Sequence, residues 1–122
     1  MVSYVTLGTN DFERAAKFYD ALLADVGAKR LMENERIILW GSPGAALLAV
    51  CKPFDGKTAS AGNGVMVALS ASSPEQVSAI YNKALELGGT DEGAPGPRGD
   101  GGMTIGYFRD LDGNKLNAIH MG

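Results

Sequence analysis

The sequence predicts an α+β fold built from two βαβββ modules in tandem. Two observations lead to this prediction. Two segments with helical apolar spacing each follow a short apolar strand, and these strand–helix units repeat at a constant distance along the chain. A shift of 62 positions pairs Val5 with Val67 and Tyr19 with Tyr81. The alternative is a chance similarity, since any two strand–helix units share apolar spacing.

The length of 122 residues fits a single domain. Within that domain, the repeat predicts a first module at about residues 1–52, a linker at about 53–63 and a second module at about 64–122. The linker consists mainly of small and polar residues, and contains the string PFDGKTASAGNG.

The first module begins with an apolar strand and an amphipathic helix. We expect the strand at Val2–Gly8 and the helix at Asp11–Val26, whose apolar side chains recur at spacings of three and four. Asn10 or Asp11 can cap the helix, and Gly27 can end it. Three further short apolar segments predict the remaining strands, at Ala28–Glu33, Arg36–Gly41 and Ala45–Lys52.

The second module repeats this order. A strand is expected at Val65–Ala71, followed by a helix that has Pro74 at its first position and ends at Gly88–Gly89. The segment Glu92–Gly102 is rich in glycine, proline and charge, so we expect a mobile loop. The last two strands are predicted at Met103–Arg109 and Lys115–Met121, with a tight turn between them.

Composition argues against several functional classes. The net charge is −3, from 11 basic and 14 acidic residues, and no basic stripe suggests nucleic-acid binding. The apolar run Ala45–Cys51 is too short to span a membrane, and Met1–Tyr4 does not resemble a signal peptide, so we expect a cytoplasmic protein. The single cysteine permits no internal disulfide, and the single histidine excludes a site built on several histidines.

Three stretches resemble the vicinal oxygen chelate superfamily, which includes glyoxalase I, bleomycin-resistance proteins and extradiol dioxygenases. They are VTLGTNDFERAAKFYDALLADVGA, the linker KPFDGKTASAGNG, and YFRDLDGNKLNAI near the end of the chain. The resemblance implies that each module curls a mixed sheet into a cup. It also implies that two cups face each other around a ligand cavity, with modules that pair within one chain or across a dimer.

The resemblance also implies where metal ligands would stand. A family His usually occupies the position of Tyr4, a second ligand that of Met66, and a Glu that of Asn117, with another Glu near Ala49. A phenol, a thioether, a carboxamide and a methyl group are poor ligands for a divalent ion. We therefore expect the family fold without its metal chemistry, and no cofactor.

The leading functional hypothesis is a metal-independent protein that holds a small organic molecule in the cup and forms a homodimer. The candidate ligand-binding residues are those that the fold would put on or near the cup floor, together with one arginine of the glycine-rich loop: Tyr4, Trp40, Met66, Tyr107, Asn117 and Arg98. The alternatives are a glyoxalase-like metal-dependent lyase or dioxygenase with a non-standard site, and a ligand-free scaffold or regulatory domain. We expect no catalytic residue, no nucleic-acid partner and no membrane partner.

Overall fold

A helix and a four-stranded mixed sheet form in each half of the chain. The computed structural model describes all 122 residues and separates them into two units, Met1–Ala61 and Gly62–Gly122. The boundary between the units falls inside the segment that the sequence predicts as a linker. Neither helix has the length and apolar character needed to cross a membrane.

The first unit follows the order βαβββ. Its elements are β1 (Tyr4–Gly8), α1 (Phe12–Ala24), β2 (Lys29–Glu33), β3 (Ile37–Gly41) and β4 (Leu47–Cys51). The strand order in the sheet is β1-β4-β3-β2, with β1 parallel to β4 and antiparallel pairing elsewhere. The Asp11 side chain accepts a hydrogen bond from the Arg14 amide and so caps α1, because the first amides of a helix have no partner within it.

The second unit has the same topology. Its elements are β5 (Val67–Ser70), α2 (Pro74–Glu86), β6 (Thr90–Arg98), β7 (Met103–Arg109) and β8 (Lys115–His120). The strand order is β5-β8-β7-β6, and β5 is parallel to β8. Adding 62 to both bounds of α1 reproduces those of α2. The βαβββ repeat predicted from the sequence is confirmed.

The expectation of a mobile loop at Glu92–Gly102 is wrong for most of that segment. Residues up to Arg98 belong to β6, which pairs antiparallel with β7 from Thr90↔Arg109 to Arg98↔Met103. Register shifts occur on both sides of Gly93, which has a φ of +150° that other residues rarely adopt. The glycines and prolines therefore mark irregularities within an edge strand.

Each sheet has one face against its helix, which we call the helix side, and an opposite helix-free face. In the second unit, a Cβ added to Gly106 would lie 3.4 Å from the ring of Tyr81 in α2. Phe108 lies on the same side of β7 as Gly106, by strand alternation. Phe108 pairs with Leu116, and both are fully buried. The helix side thus forms the core of this unit.

Candidate functional site

The helix-free face of the second unit carries four of the six residues that the sequence proposes for ligand binding. Asn117 pairs with Ala68 on one side and with Tyr107 on the other, so these three side chains share a face of the sheet. Met66 lies beside Asn117 on this face, and Arg98 reaches it from the edge strand β6. The structure therefore brings Met66, Arg98, Tyr107 and Asn117 together.

Asn117 is the most unusual residue of this face. Its side chain is a polar group that is only 3% exposed. The amide Nδ2 lies 3.7 Å from the sulfur of Met66, and the buried Oδ1 has no hydrogen-bond partner. A buried acceptor without a partner costs roughly 1 to 3 kcal/mol, because it has lost its hydrogen bonds to water. Such an atom in a native fold calls for a specific explanation.

Tyr107 has two cations close to its ring. The Arg98 Cζ is 5.6 Å from the centroid of the tyrosine ring, and the Lys115 Nζ is 5.4 Å from it. Both distances are within the range of cation–π attraction. The Arg98 guanidinium also donates hydrogen bonds to the carbonyl oxygens of Ala94 and Pro97, at 3.0 and 3.1 Å. Neither Arg98 nor Lys115 forms a salt bridge with a carboxylate.

The residues at the family's metal positions do not fit a divalent ion. Met66 and Asn117 offer a thioether and a carboxamide in the second unit. In the first unit, Tyr4 is a phenol that is 51% exposed, and Ala49 has no donor atom. No three His, Cys, Asp or Glu side chains are grouped where they could bind a metal. Divalent ions in proteins prefer imidazole, thiolate and carboxylate, so this donor set does not suit the family's metal.

The placement expected for Trp40 is wrong. Trp40 is 1% exposed on the helix side of the first unit, where its ring centroid lies 5.7 Å from that of Tyr19 in α1. Its indole Nε1 donates a 2.8 Å hydrogen bond to Oδ1 of Asp20, another residue of α1. All five residues of β3 are buried, so the apolar sequence contains no alternation that could identify the side facing the helix. Trp40 is a core residue of the first unit.

Asp20 links that core to the surface. Its carboxylate accepts hydrogen bonds from Arg30 Nε and Nη2, at 2.8 and 2.7 Å, as well as from Trp40. The hydrogen bonding to Arg30 is the main reason why the pKa of Asp20 is lowered, with a smaller contribution from Trp40 and an opposing one from burial. These contacts hold β2 and β3 against α1.

Tyr4 lies in the first unit, at the start of β1, and pairs with Leu47. It shares the helix-free face of that sheet with Thr6, because successive strand residues alternate between faces. Thr6 pairs with Ala49, which packs with Ile37 and Leu39 in a cluster of buried apolar residues.

A cavity in the first unit was not predicted from the sequence. It has a volume of about 470 Å³ and lies between the strand residues Thr6, Gly8 and Cys51 and the segment 53–60. The Asn10 side chain holds this segment, because it accepts a hydrogen bond from the Ala59 amide at 2.7 Å and donates one to the Ala59 carbonyl at 3.0 Å. The string PFDG at the start of this segment is the sequence signal that could indicate the cavity. The small and polar composition of the segment predicts only a linker.

Comparison with known proteins gives one family and many similar folds. The sequence profile of the Glyoxalase/Bleomycin resistance protein/Dioxygenase superfamily matches residues 2–118. A glyoxalase/bleomycin resistance protein from Albidiferax ferrireducens T118 is 38% identical, with a TM-score of 0.92, over 100% of this chain and 99% of that one. None of the curated proteins matches the sequence.

Two further structures are more distant. A glyoxalase/bleomycin resistance protein/dioxygenase family enzyme from Burkholderia phytofirmans PsJN is 14% identical, with a TM-score of 0.78 and 98% of each chain covered, which indicates a shared fold. A V278E mutant of glyoxalase I from Zea mays is 26% identical, with a TM-score of 0.71. This alignment covers 95% of the present chain but 44% of the maize chain.

Proposed function

The chain belongs to the Glyoxalase/Bleomycin resistance protein/Dioxygenase superfamily, and from that premise we propose that it binds a small organic molecule without a metal ion. The site is the helix-free face of the second unit, around Met66, Tyr107 and Asn117. This face offers an aromatic ring, a thioether and a buried amide, which is the mixture of apolar surface and few polar groups typical of small-molecule sites.

The observation that carries the proposal is the unpartnered Oδ1 of Asn117. An apolar residue in this position would give up only the weak contact of Nδ2 with the Met66 sulfur, because the fold provides no donor for Oδ1. A bound molecule with an N–H or O–H group would supply that donor. Met66 is 42% exposed and its thioether side chain is flexible, so it can move aside to admit such a molecule.

We propose binding without a metal ion because the side chains at this site offer poor metal-ligand atoms. The family position of a chelating carboxylate is held by the neutral amide of Asn117, and that of a second ligand by the thioether of Met66. Neither group neutralises the charge of a divalent ion. The relative from Albidiferax ferrireducens is described as a glyoxalase/bleomycin resistance protein, and binding without chemistry is the activity that we infer here.

The first test compares two buried asparagines. Asn114 is 7% exposed. Its backbone N–H donates to Oδ1 of Asp110 at 2.9 Å, and its side-chain Nδ2 donates to Oδ2 of Asp110 at 3.0 Å. We expect Asn114→Leu to lose roughly 1 to 3 kcal/mol of unfolding free energy, since it breaks a satisfied buried bond. Asn117→Leu should be neutral or stabilising. Urea denaturation measures both. Equal losses would show that Asn117 is a structural amide and would contradict the proposal.

The second test measures binding directly. A set of small aromatic acids, amides and amines is added to the ¹⁵N-labelled protein, and the side-chain amide signals of Asn117 and Asn114 are followed by NMR. We expect members of the set to shift the Asn117 signal in the wild type but not to bind Asn117→Leu, while the Asn114 signal stays in place. Binding that requires Zn²⁺, Ni²⁺, Fe²⁺ or Mn²⁺ would instead support the metal-dependent enzyme. No binding at all would favour a ligand-free scaffold.

A further inference from the structure

The helix-free face of the second unit is locally cationic although the whole chain carries a net charge of −3. Arg98 and Lys115 both lie within 6 Å of the Tyr107 ring centroid, at 5.6 and 5.4 Å. Two like charges beside one ring repel each other, and the attraction of the ring is worth only about 0.5 to 1 kcal/mol at an exposed site. An anion bound beside the ring would be attracted by both cations and would offset this repulsion.

Nearby carboxylates do not neutralise these cations. Glu92 of β6 is paired with Arg109. Asp91 accepts hydrogen bonds from the Tyr81 hydroxyl, at 2.7 Å, and from the Gly93 amide, at 2.8 Å. The acidic side chains of the edge strand β6 are thus committed to other partners. Arg98 and Lys115 keep their full charge for a molecule from solution.

Arg98 is also held in position before any ligand arrives. Its Nη1 and Nη2 each donate one hydrogen bond to a carbonyl oxygen of its own strand. A guanidinium has five N–H groups, so the remaining ones are available for a carboxylate. Since the side chain is already restrained, less conformational entropy is lost when it binds a partner.

Asn117 adds a second polar requirement on the same face. It pairs directly with Tyr107 across β7 and β8, and its Oδ1 needs a donor. We propose that the bound molecule is a small organic anion with a carboxylate for Arg98 and Lys115 and an N–H or O–H group for Asn117, stacked near Tyr107. This inference rests on the proposed function and specifies its ligand class.

A series of three probes tests the charge requirement. 4-Hydroxybenzoate, 4-hydroxybenzamide and 4-hydroxybenzylamine share a ring and a phenol donor but carry charges of about −1, 0 and +1 at neutral pH. In NMR titrations of the wild-type protein, 4-hydroxybenzoate should bind most tightly, 4-hydroxybenzamide less tightly and 4-hydroxybenzylamine most weakly. We expect about a tenfold advantage for the anion over the amide, which is the effect of roughly one charge-assisted hydrogen bond.

Variants then assign the preference to the two cations. Arg98→Met with Lys115→Met should abolish the advantage of 4-hydroxybenzoate over 4-hydroxybenzamide when both are measured on this double variant. Lys83→Met, in the last turn of α2, removes one charge from the same unit and should keep the anion preference. If the amide or the amine binds the wild type as tightly as the acid, the anion inference fails and the proposed function stands. If none of the three probes binds, both fail.

Discussion

The side chains of Asn117 and Met66 are in contact, with 3.7 Å between the amide nitrogen Nδ2 and the sulfur Sδ. Met66 directly precedes β5 and Asn117 lies in β8, 51 positions further along the chain. Both stand at positions where relatives with metal chemistry carry ligands, as the family resemblance implies. This proximity is what two ligands of one metal ion would need, so the two positions can be tested by substitution.

Restoring ligand types should therefore restore some metal binding. We expect Met66→His with Asn117→Glu to bind one Ni²⁺ or Zn²⁺ per chain by calorimetry, with modest affinity because two protein ligands leave several positions to water. Met66→Leu with Asn117→Glu is the matched control, with one ligand fewer, and should bind much more weakly. Circular dichroism checks folding. A folded double variant with no more affinity than its control would show that the two side chains do not converge.

Asp20 should make stability depend on pH. Its pKa is lowered in the folded protein, mainly by the hydrogen bonding to Arg30. A carboxyl with a lowered pKa stabilises the fold above its unfolded value of about 3.9, and this contribution is lost as the pH falls through the folded value. Asp20→Asn should therefore be less stable than the wild type at pH 7, with a difference that closes below about pH 4.

The size of this effect is limited by solvent. The Arg30 and Asp20 side chains are 33% and 43% exposed, so we expect at most about 1 kcal/mol at pH 7. Asp20→Ala should lose roughly another 1 kcal/mol at all pH values, because the buried Trp40 N–H then has no acceptor. Denaturation curves recorded between about pH 2.5 and about pH 7 measure the stability of both variants. This range includes the pKa of about 3.9 of an unfolded aspartate. If the difference in unfolding free energy between Asp20→Asn and the wild type does not change with pH, the lowered pKa of Asp20 does not account for it.

We propose that the protein forms a homodimer through the exposed edge of the first sheet. The strand β2 is an edge strand, all five of its residues are exposed, and Leu31 and Met32 are 46% and 49% exposed. Edge strands tend to pair with another chain, and β2 offers the apolar side chains of Leu31 and Met32 between charged residues at both ends of the strand. Light scattering at micromolar concentration should give a dimer mass.

Charges on this edge should dissociate the dimer. We expect Leu31→Lys with Met32→Lys to be monomeric, because two cations would face each other across the interface. Met121→Lys is the control, since Met121 is 66% exposed in the second unit and should not affect assembly. A wild-type monomer across the concentration range would refute the dimer, and a dimeric double variant would place its interface elsewhere.

The two helices could be predicted from the sequence to within about two residues at their ends. The prediction relied on local signals, namely apolar spacing of three and four and polar residues able to cap each helix, of which the structure uses Asp11 and Ser73. These signals depend on residues that are close together in the chain, so they can be recognised without knowledge of the rest of the fold. The same holds for the shift of 62 positions that relates α1 to α2.

The strand β6 could not be predicted in this way. A sequence of glycine, proline and charge between Thr90 and Arg98 has the composition of a loop, and it becomes a strand because β7 provides hydrogen-bond partners. Strand pairing is a contact between distant parts of the chain, and local composition carries little information about it. The register shifts beside Gly93 also depend on that partner.

The sequence by itself determined the repeat and the order of elements apart from β6. It also predicted the side of the sheet on which Met66 and Asn117 lie, because strand alternation with a period of two needs only a starting point. Tertiary structure decided the rest of the site. It put Trp40 against α1, because β3 is apolar on both faces and only packing selects one. It also brought Arg98 over Tyr107, because the neighbours of a long side chain depend on the register between strands, which no single strand encodes.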